Sequence, residues 1–164
     1  MAQKYPVAGC KFYISTTAFT LPEGDVVAAD FTALTFVEIG GWETMGSVGD
    51  TAELITTQLI NEGRDAKLKG TRNAGSMENT FAVIPTNAGQ LALIAAEASS
   101  DNYAFRIEMN DAPATGASPT NGMRYFAGIV MGAAEQGGSA NTVRMLSATV
   151  EVNTNIVTVP PSAT

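Results

Sequence analysis

The sequence contains few side chains that could do chemistry. It has no histidine, which removes the commonest general base and the commonest metal ligand. Cys10 is the only cysteine, so neither an internal disulfide nor a thiolate metal site can form. The sixteen Asp and Glu residues show no paired spacing, and solvated surface charge is their expected role. We therefore predict no catalytic residue, no metal and no cofactor, and we expect a protein that is not an enzyme.

The serines and glycines give no motif either. No G-x-S-x-G elbow and no supported S-x-x-K is present. The glycines of the 40–49 segment match neither the Walker nor the dinucleotide-binding spacing. We interpret them as structural.

Length and charge narrow the possible functions further. The 164 residues suit one domain, predicted to span 1–164, with 45% hydrophobic and only 15% charged residues. Nine Lys and Arg against sixteen Asp and Glu give a net charge of −7, which argues against stable nucleic-acid binding. Phe126–Ala134 is the longest apolar candidate and is too short to span a bilayer, so no membrane association is expected. A lone thiol fits synthesis in a reducing cytosol.

The basic residues are clustered more than the acidic ones. Arg64, Lys67, Lys69 and Arg72 lie within nine positions. A nucleic-acid patch is one interpretation, but the acidic background and the missing aromatic residues weaken it. A strand edge guarded by lysines is favoured. A third interpretation is a positive loop that steers self-assembly of a negative subunit.

Trp42, the only tryptophan, follows two glycines after a predicted strand. It could anchor a partner surface, because tryptophan supplies a large contact area at low entropic cost. A lid on the domain's own core is an equal alternative.

Alternation of apolar and polar residues dominates the chain and predicts β-strands. In the 103–110 stretch, Tyr103, Phe105, Ile107 and Met109 share one side. In Val143–Val152 the even-numbered apolar residues from position 146 onward share one side. Further strands are predicted at Lys11–Thr16, Leu34–Ile39, Leu54–Ile60, Ala66–Gly70, Met77–Ile84 and Arg124–Glu135. Irregular stretches are expected at Gly40–Gly49, Ala112–Thr120 and Pro160–Thr164.

One segment has the period of a helix. Asn87 is a good N-cap, and Leu91, Ile94, Ala95 and Ala98 follow at helical spacing. We predict a helix of about three turns that docks this stripe on the sheet. A weaker helical turn is predicted at Asp25–Asp30. The expected fold class is mainly β, a sandwich or barrel with one flanking α-helix.

Three stretches in this order resemble the major tail tube protein of long-tailed bacteriophages, a family related to contractile tail and type VI secretion tube proteins. They are FTALTFVEIGGW (Phe31–Trp42), AKLKGTRNAGSMENTFAV (Ala66–Val83) and AGQLALIAAEASSDNYAFRIEM (Ala88–Met109). The match extends over roughly Phe31 to Val152.

The resemblance implies a virion tail component without enzymatic activity. Six copies would close into a ring whose inner strands form a continuous β-barrel, and rings would stack into a tube through which DNA is ejected. A loop at about 40–75, an N-terminal arm at 1–10 and a C-terminal arm at 153–164 would reach neighbouring rings. Trp42 and the basic cluster (Arg64, Lys67, Lys69 and Arg72) would then be contact candidates. Expected partners are further copies, the tape measure, the tail terminator and the baseplate or tip, with DNA only in transit.

The lumen-facing candidates are polar residues on the wet sides of two predicted strands. They are Glu108, Ser147, Thr149 and Glu151. A lumen poor in positive charge would let DNA slide, because every phosphate contact adds to binding. Alternatives to a phage tail tube are the tube of a type VI secretion or other contractile injection system, and a capsid-decorating or adhesin module.

Overall fold

The computed structural model describes residues 3–164 as a β-barrel with one flanking helix. The strands are β1 (Lys11–Ala18), β2 (Phe36–Glu38), β3 (Trp42–Thr44), β4 (Thr51–Thr57), β5 (Ala66–Asn73), β6 (Ser76–Ala82), β7 (Tyr103–Glu108), β8 (Met123–Gln136), β9 (Met145–Val152) and β10 (Val157–Val159). Helix α1 spans Ala88–Glu97, and a 3₁₀ turn spans Ala28–Phe31. In residues 3–164, no helix is long and apolar enough to cross a membrane.

The main sheet is antiparallel, with the order β2-β1-β7-β8-β9-β6-β3 and β10 paired to β8. Its two end strands, β2 and β3, are separated in the chain by only three residues. The Ile39 amide donates to the Phe12 carbonyl at 2.8 Å, and the Ala82 amide donates to the Gly41 carbonyl at 2.7 Å. The segment from β2 to β3 therefore bridges β1 and β6, and the sheet curls until its ends meet.

A cluster of aromatic rings fills the barrel. Phe12 stacks against Trp42 and Phe105, with ring centroids 5.2 and 5.5 Å apart, and against Phe81 and Phe126 at 6.3 and 6.4 Å. All four phenylalanines are buried. Each comes from a different strand, so the cluster holds β1, β6, β7 and β8 together through apolar burial and ring stacking.

Helix α1 begins where the sequence predicts it, with the Asn87 side chain accepting from the Gln90 amide at 2.8 Å. The predicted core-facing stripe is wrong. The helix buries Gly89, Gln90, Leu93 and Ala96, and it exposes Leu91, Ile94, Ala95 and Ala98. A Cβ at Gly89 would lie 2.1 Å from the Glu38 carbonyl oxygen, so the helix approaches the barrel more closely than any side chain at position 89 would allow.

A second, smaller cluster covers the outer side of the sheet at β1, β7 and the start of β8. Phe31 stacks on Phe19 at 5.3 Å and on Tyr125 at 5.2 Å, above buried Ala104 and Val26. This cluster explains the predicted helical turn near 25–30, which the structure places at Ala28–Phe31.

The irregular stretches are only partly as expected. Gly40–Gly49 contains β3, which the sequence analysis missed, and β10 lies within the predicted C-terminal arm. Ala112–Thr120 is the connection between β7 and β8, as predicted, and the Thr120 amide donates to the Ser162 carbonyl at 2.8 Å. Of the predicted N-terminal arm, residues 1 and 2 lie outside the described residues.

Candidate functional surfaces

The smaller apolar cluster around Phe31 leaves one region of the outer sheet surface uncovered, and that region is acidic. It consists of the outward residues of β6, β9 and the second half of β8, together with the adjoining Glu43, and we call it the acidic face. The register aligns Ser76 with Glu151, Glu78 with Thr149, and Thr80 with Ser147 across β6 and β9. Ile129, Gly132 and Ala134 continue it on β8. Among the described residues that the register places on the acidic face, none is a lysine or arginine.

Hydroxyl groups of neighbouring strands hold two of these carboxylates. Glu43 accepts from the Thr80 hydroxyl at 2.7 Å, and Glu151 accepts from the Ser76 hydroxyl. Hydrogen bonds from Thr44 and Thr80 lower the pKa of Glu43 below its ordinary value. Glu43 therefore stays ionised at neutral pH.

Three of the four lumen-facing candidates lie together on the acidic face: Ser147, Thr149 and Glu151. Glu108 does not join them, because it lies on β7 beside the second cluster. It accepts from the Asn121 side chain at 2.9 Å and from the Tyr13 hydroxyl at 3.0 Å. Whether any of the four faces a lumen stays a prediction.

The second half of β8 presents a free strand edge. Residues 123–128 pair with β7 on one side, whereas residues 128–136 pair only with β9 on the other. Within the described chain, no strand pairs with the β7 side of residues 129–136. An unpaired edge is a template for a strand from another chain.

Strands β4 and β5 form a separate two-stranded sheet, which we call the hairpin. Every residue of β4 and most of β5 are exposed. Its apolar side chains are exposed to an unusual degree, including Ile60 at its tip, which is fully exposed. Leu54, Ile55, Leu59 and Leu68 are the other exposed large apolar residues of the hairpin.

The register divides the hairpin into two unlike sides. Ile55 lies opposite Leu68, and Thr57 lies opposite Ala66, on one side that we call the apolar side. On the other side Leu54 lies opposite Lys69 and Thr56 opposite Lys67. The structure thus brings Lys67 and Lys69 together, as their spacing in a strand requires.

The remaining contact candidates are placed differently. Arg64 lies near the hairpin tip and is exposed. Arg72 is bound at the hairpin base, where its guanidinium donates to Asp50 at 2.9 Å. Trp42 belongs to the barrel, since its ring stacks on Phe12 and its indole N–H donates to the buried Asn79 side chain at 3.1 Å. Its role at a partner surface stays a prediction.

The sequence analysis missed Glu43 and Glu78 on the acidic face. The alternation that located Ser147 and Thr149 also occurs in β6, where Met77 and Phe81 are buried and Glu78 and Thr80 point outward. The alternation in β6 could have been read from the sequence, but the pairing of β6 with β9 could not. No cluster of three or more His, Cys, Asp or Glu residues in the described chain could hold a metal ion.

Comparison with solved structures identifies the fold. A chain of the anti-feeding prophage (AFP) baseplate matches with a TM-score of 0.69 and 11% identity, over 98% of both chains. A chain of the AFP tube-terminating cap matches with a TM-score of 0.62 and 13% identity, over 98% of this chain and 95% of that one. The SPP1 tail tube matches with a TM-score of 0.63 and 14% identity, over 93% of this chain and 78% of that one.

No family model and no curated protein matches the sequence. The chain therefore shares the fold of tail tube and tube-associated proteins, as the resemblance implied, at a sequence identity below 15% in each of these three comparisons. The expected mainly β fold, a sandwich or barrel with one flanking helix, is confirmed.

Proposed function

We propose that this chain is a structural subunit of a phage-type tail tube, built from stacked hexameric rings whose lumen is lined by the acidic face. The observation that carries the proposal is a curved surface of β9, β6, β3 and the second half of β8, with carboxylates, hydroxyls and, among the described residues, no outward lysine or arginine. Such a surface suits a channel for DNA in transit, because phosphate binding depends on Lys and Arg contacts.

Ring closure would use the free edge of β8. Residues 129–136 lie at one margin of the four strands, and β3 lies at the other. A strand edge paired with the far margin of an identical neighbour continues the sheet, and rotational closure then removes every free edge. Six copies at −7 would carry about −42 per ring, a field that salt screens over about 10 Å.

The hairpin would reach the adjacent ring. It stands outside the barrel with apolar side chains in solvent, and an exposed two-stranded sheet is marginally stable alone. The predicted loop role of residues 40–75 fits this position, as does a contribution of Lys67 and Lys69 to stacking on a negative neighbour. We also propose the two termini as arms, and tape measure, terminator and baseplate or tip proteins as partners in the virion tail.

The match to two AFP components supports a second candidate, a tube subunit of an injection device that carries no genome. Both candidates share the ring and the stack. They differ in whether duplex DNA enters the lumen.

Negative-stain microscopy of the full chain tests the assembly. Rings or tubes with a pore of about 20 Å or more, enough for duplex DNA, are expected. Monomers at every concentration and ionic strength would refute the tube.

A matched pair of charge reversals tests the lumen. Glu78→Lys changes the acidic face, and Glu23→Lys makes the same charge change on an exposed loop. Short duplex DNA is incubated with each tube and then digested with nuclease. Glu78→Lys tubes are expected to retain protected DNA in a salt-dependent manner, whereas Glu23→Lys tubes should not. Equal protection of DNA by both variants would mean that the acidic face does not line the lumen.

A further inference from the structure

The helix carries an apolar surface that the barrel does not use. Leu91 and Ile94 are 54% and 41% exposed, although they belong to the stripe that the sequence predicts as core. With Val83 and Ile84 they line a surface groove, rimmed by the ion pair of Glu135 and Arg144 at 2.6 Å. We call this the helix groove.

Hydrogen bonds of one buried side chain tie the parts of the groove together. The buried Gln90 side chain lies in its floor, where it accepts from the Ile84 amide at 3.0 Å and donates to the Gly40 and Ala82 carbonyls at 2.8 Å each. These bonds fix α1 to the turn that precedes it. A preformed groove avoids the ordering cost that weakens association.

The hairpin and the helix groove lie at opposite ends of the same strands. The hairpin leaves the barrel next to Ser76, where β6 begins, and Ser76 pairs with Glu151 near the end of β9. The groove follows the end of β6 and adjoins the start of β9, where Ala82 pairs with Met145. A contact between these two surfaces is heterologous, so it repeats from copy to copy and builds an open-ended stack.

Charge supports a second copy of this chain as the occupant. Residues 51–73 contain four basic and three acidic residues, a net charge of +1, so the rest of the chain carries −8. The hairpin is therefore the positive part of a negative subunit and is attracted to the body of another copy. The neighbouring pocket beside Glu43 fits less well, since Val143 is its only exposed large apolar residue.

We propose that the apolar side of one copy's hairpin, at Ile55 and Leu68, docks in the helix groove of the next copy against Leu91 and Ile94. This inference rests on the proposed tube function and assigns the surface that receives the hairpin. It also accounts for two of the five exposed large apolar residues of the hairpin and for the exposed Leu91 and Ile94 of α1 by a single contact.

Two complementary variants of the full chain test it. Ile55→Ser/Leu68→Ser removes the apolar side of the hairpin, and Leu91→Glu/Ile94→Glu places carboxylates in the groove. Each variant alone should form rings but should stack only at a concentration about tenfold higher or more. The serine variant loses the apolar area of the contact, and the glutamate variant places unpaired charges in it. Leu21→Glu/Val27→Glu, which also replaces two exposed apolar residues, is the matched control and should stack normally.

Mixing the two variants gives the decisive result. The groove variant still has a working hairpin, and the hairpin variant still has a working groove, so a one-to-one mixture should form double rings and nothing longer. Sedimentation velocity and negative stain measure this. Normal stacking of the groove variant, or a mixture that stays as single rings, would overturn the inference while leaving the tube function standing.

A further possible outcome would distinguish the docking contact from the proposed tube function. If the native chain forms no ring and the mixture forms a two-chain complex, the docking holds and the hexameric tube fails. If the glutamate variant does not fold, Leu68→Cys/Ile94→Cys in a Cys10→Ser background replaces it. A short thiol cross-linker should then give a ladder of covalent oligomers in the assembled protein, and its absence would overturn the docking.

Discussion

The barrel and the hairpin are built by the same antiparallel pairing, yet they use their side chains in opposite ways. In the barrel, alternation directs Phe12, Phe81 and Phe105 into a closed core with no more than 1% exposure. In the hairpin, Ile55 and Leu68 share one side of the two-stranded sheet but are 49% and 65% exposed. Strand pairing alone therefore does not place an apolar residue in a core. The apolar side of the hairpin is not buried against any part of the described residues 3–164.

The sharpest test of this difference compares one large apolar residue from each region. Phe105→Ala is expected to lower the free energy of unfolding by about 3–5 kcal/mol, because it opens a cavity in the aromatic cluster. Ile55→Ala should change it by less than about 0.5 kcal/mol, because the side chain is already in solvent. Urea unfolding of the unassembled subunit measures both. A large loss for Ile55→Ala would mean that the hairpin packs on its own barrel.

A pair of glutamine substitutions extends the comparison to hydrogen bonds. Gln90→Ala leaves the Ile84 amide and the Gly40 and Ala82 carbonyls without a partner, and should cost about 1–3 kcal/mol. Gln58→Ala removes the same side chain from the exposed hairpin and should change stability by less than about 0.5 kcal/mol. Thermal unfolding of the two variants checks the ranking. Equal midpoints would show that water replaces the bonds of Gln90.

The sequence predicts most of the barrel because local alternation is strong there. Strand β7 and strand β9 have the predicted sides buried, and α1 begins directly after its predicted N-cap. Strands β3 and β10, each three residues long, were missed. Their pairing with β6 and β8 comes from distant parts of the chain and leaves no local period.

The prediction of which residues of α1 are buried was wrong for a different reason. The helix has two candidate stripes, one with Leu91 and Ile94 and one with Gly89, Gln90 and Leu93. Apolarity favours the first, but close packing on the carbonyl of Glu38 requires the glycine of the second. The acidic face also depends on packing between distant parts of the chain. The sequence shows which residues of β9 face solvent, but it does not show that β6 places Glu78 beside them.

The smallest expected effect comes from a carboxylate of the barrel. Burial raises the pKa of Glu108, but the hydrogen bonds that it accepts from Asn121 and Tyr13 have the larger opposite effect. The net result is a pKa below its ordinary value of 4.5. A lowered pKa in the folded state contributes stability that is present above pH 4.5 and is lost as the pH falls through the folded value. Glu108→Gln should therefore be less stable than the native chain at pH 7, by less than about 1 kcal/mol because solvent screens the site.

The pH series decides whether the carboxylate charge is the cause. The gap between Glu108→Gln and the native chain should narrow as the pH drops below 4.5, where the unfolded chain begins to bind the proton, and should close below the lower pKa of the folded carboxyl. Tyr13→Phe provides the control, because it removes one donor and should cost less in the Glu108→Gln background than in the native chain. A gap that stays constant from pH 7 to pH 3 would assign the loss to packing.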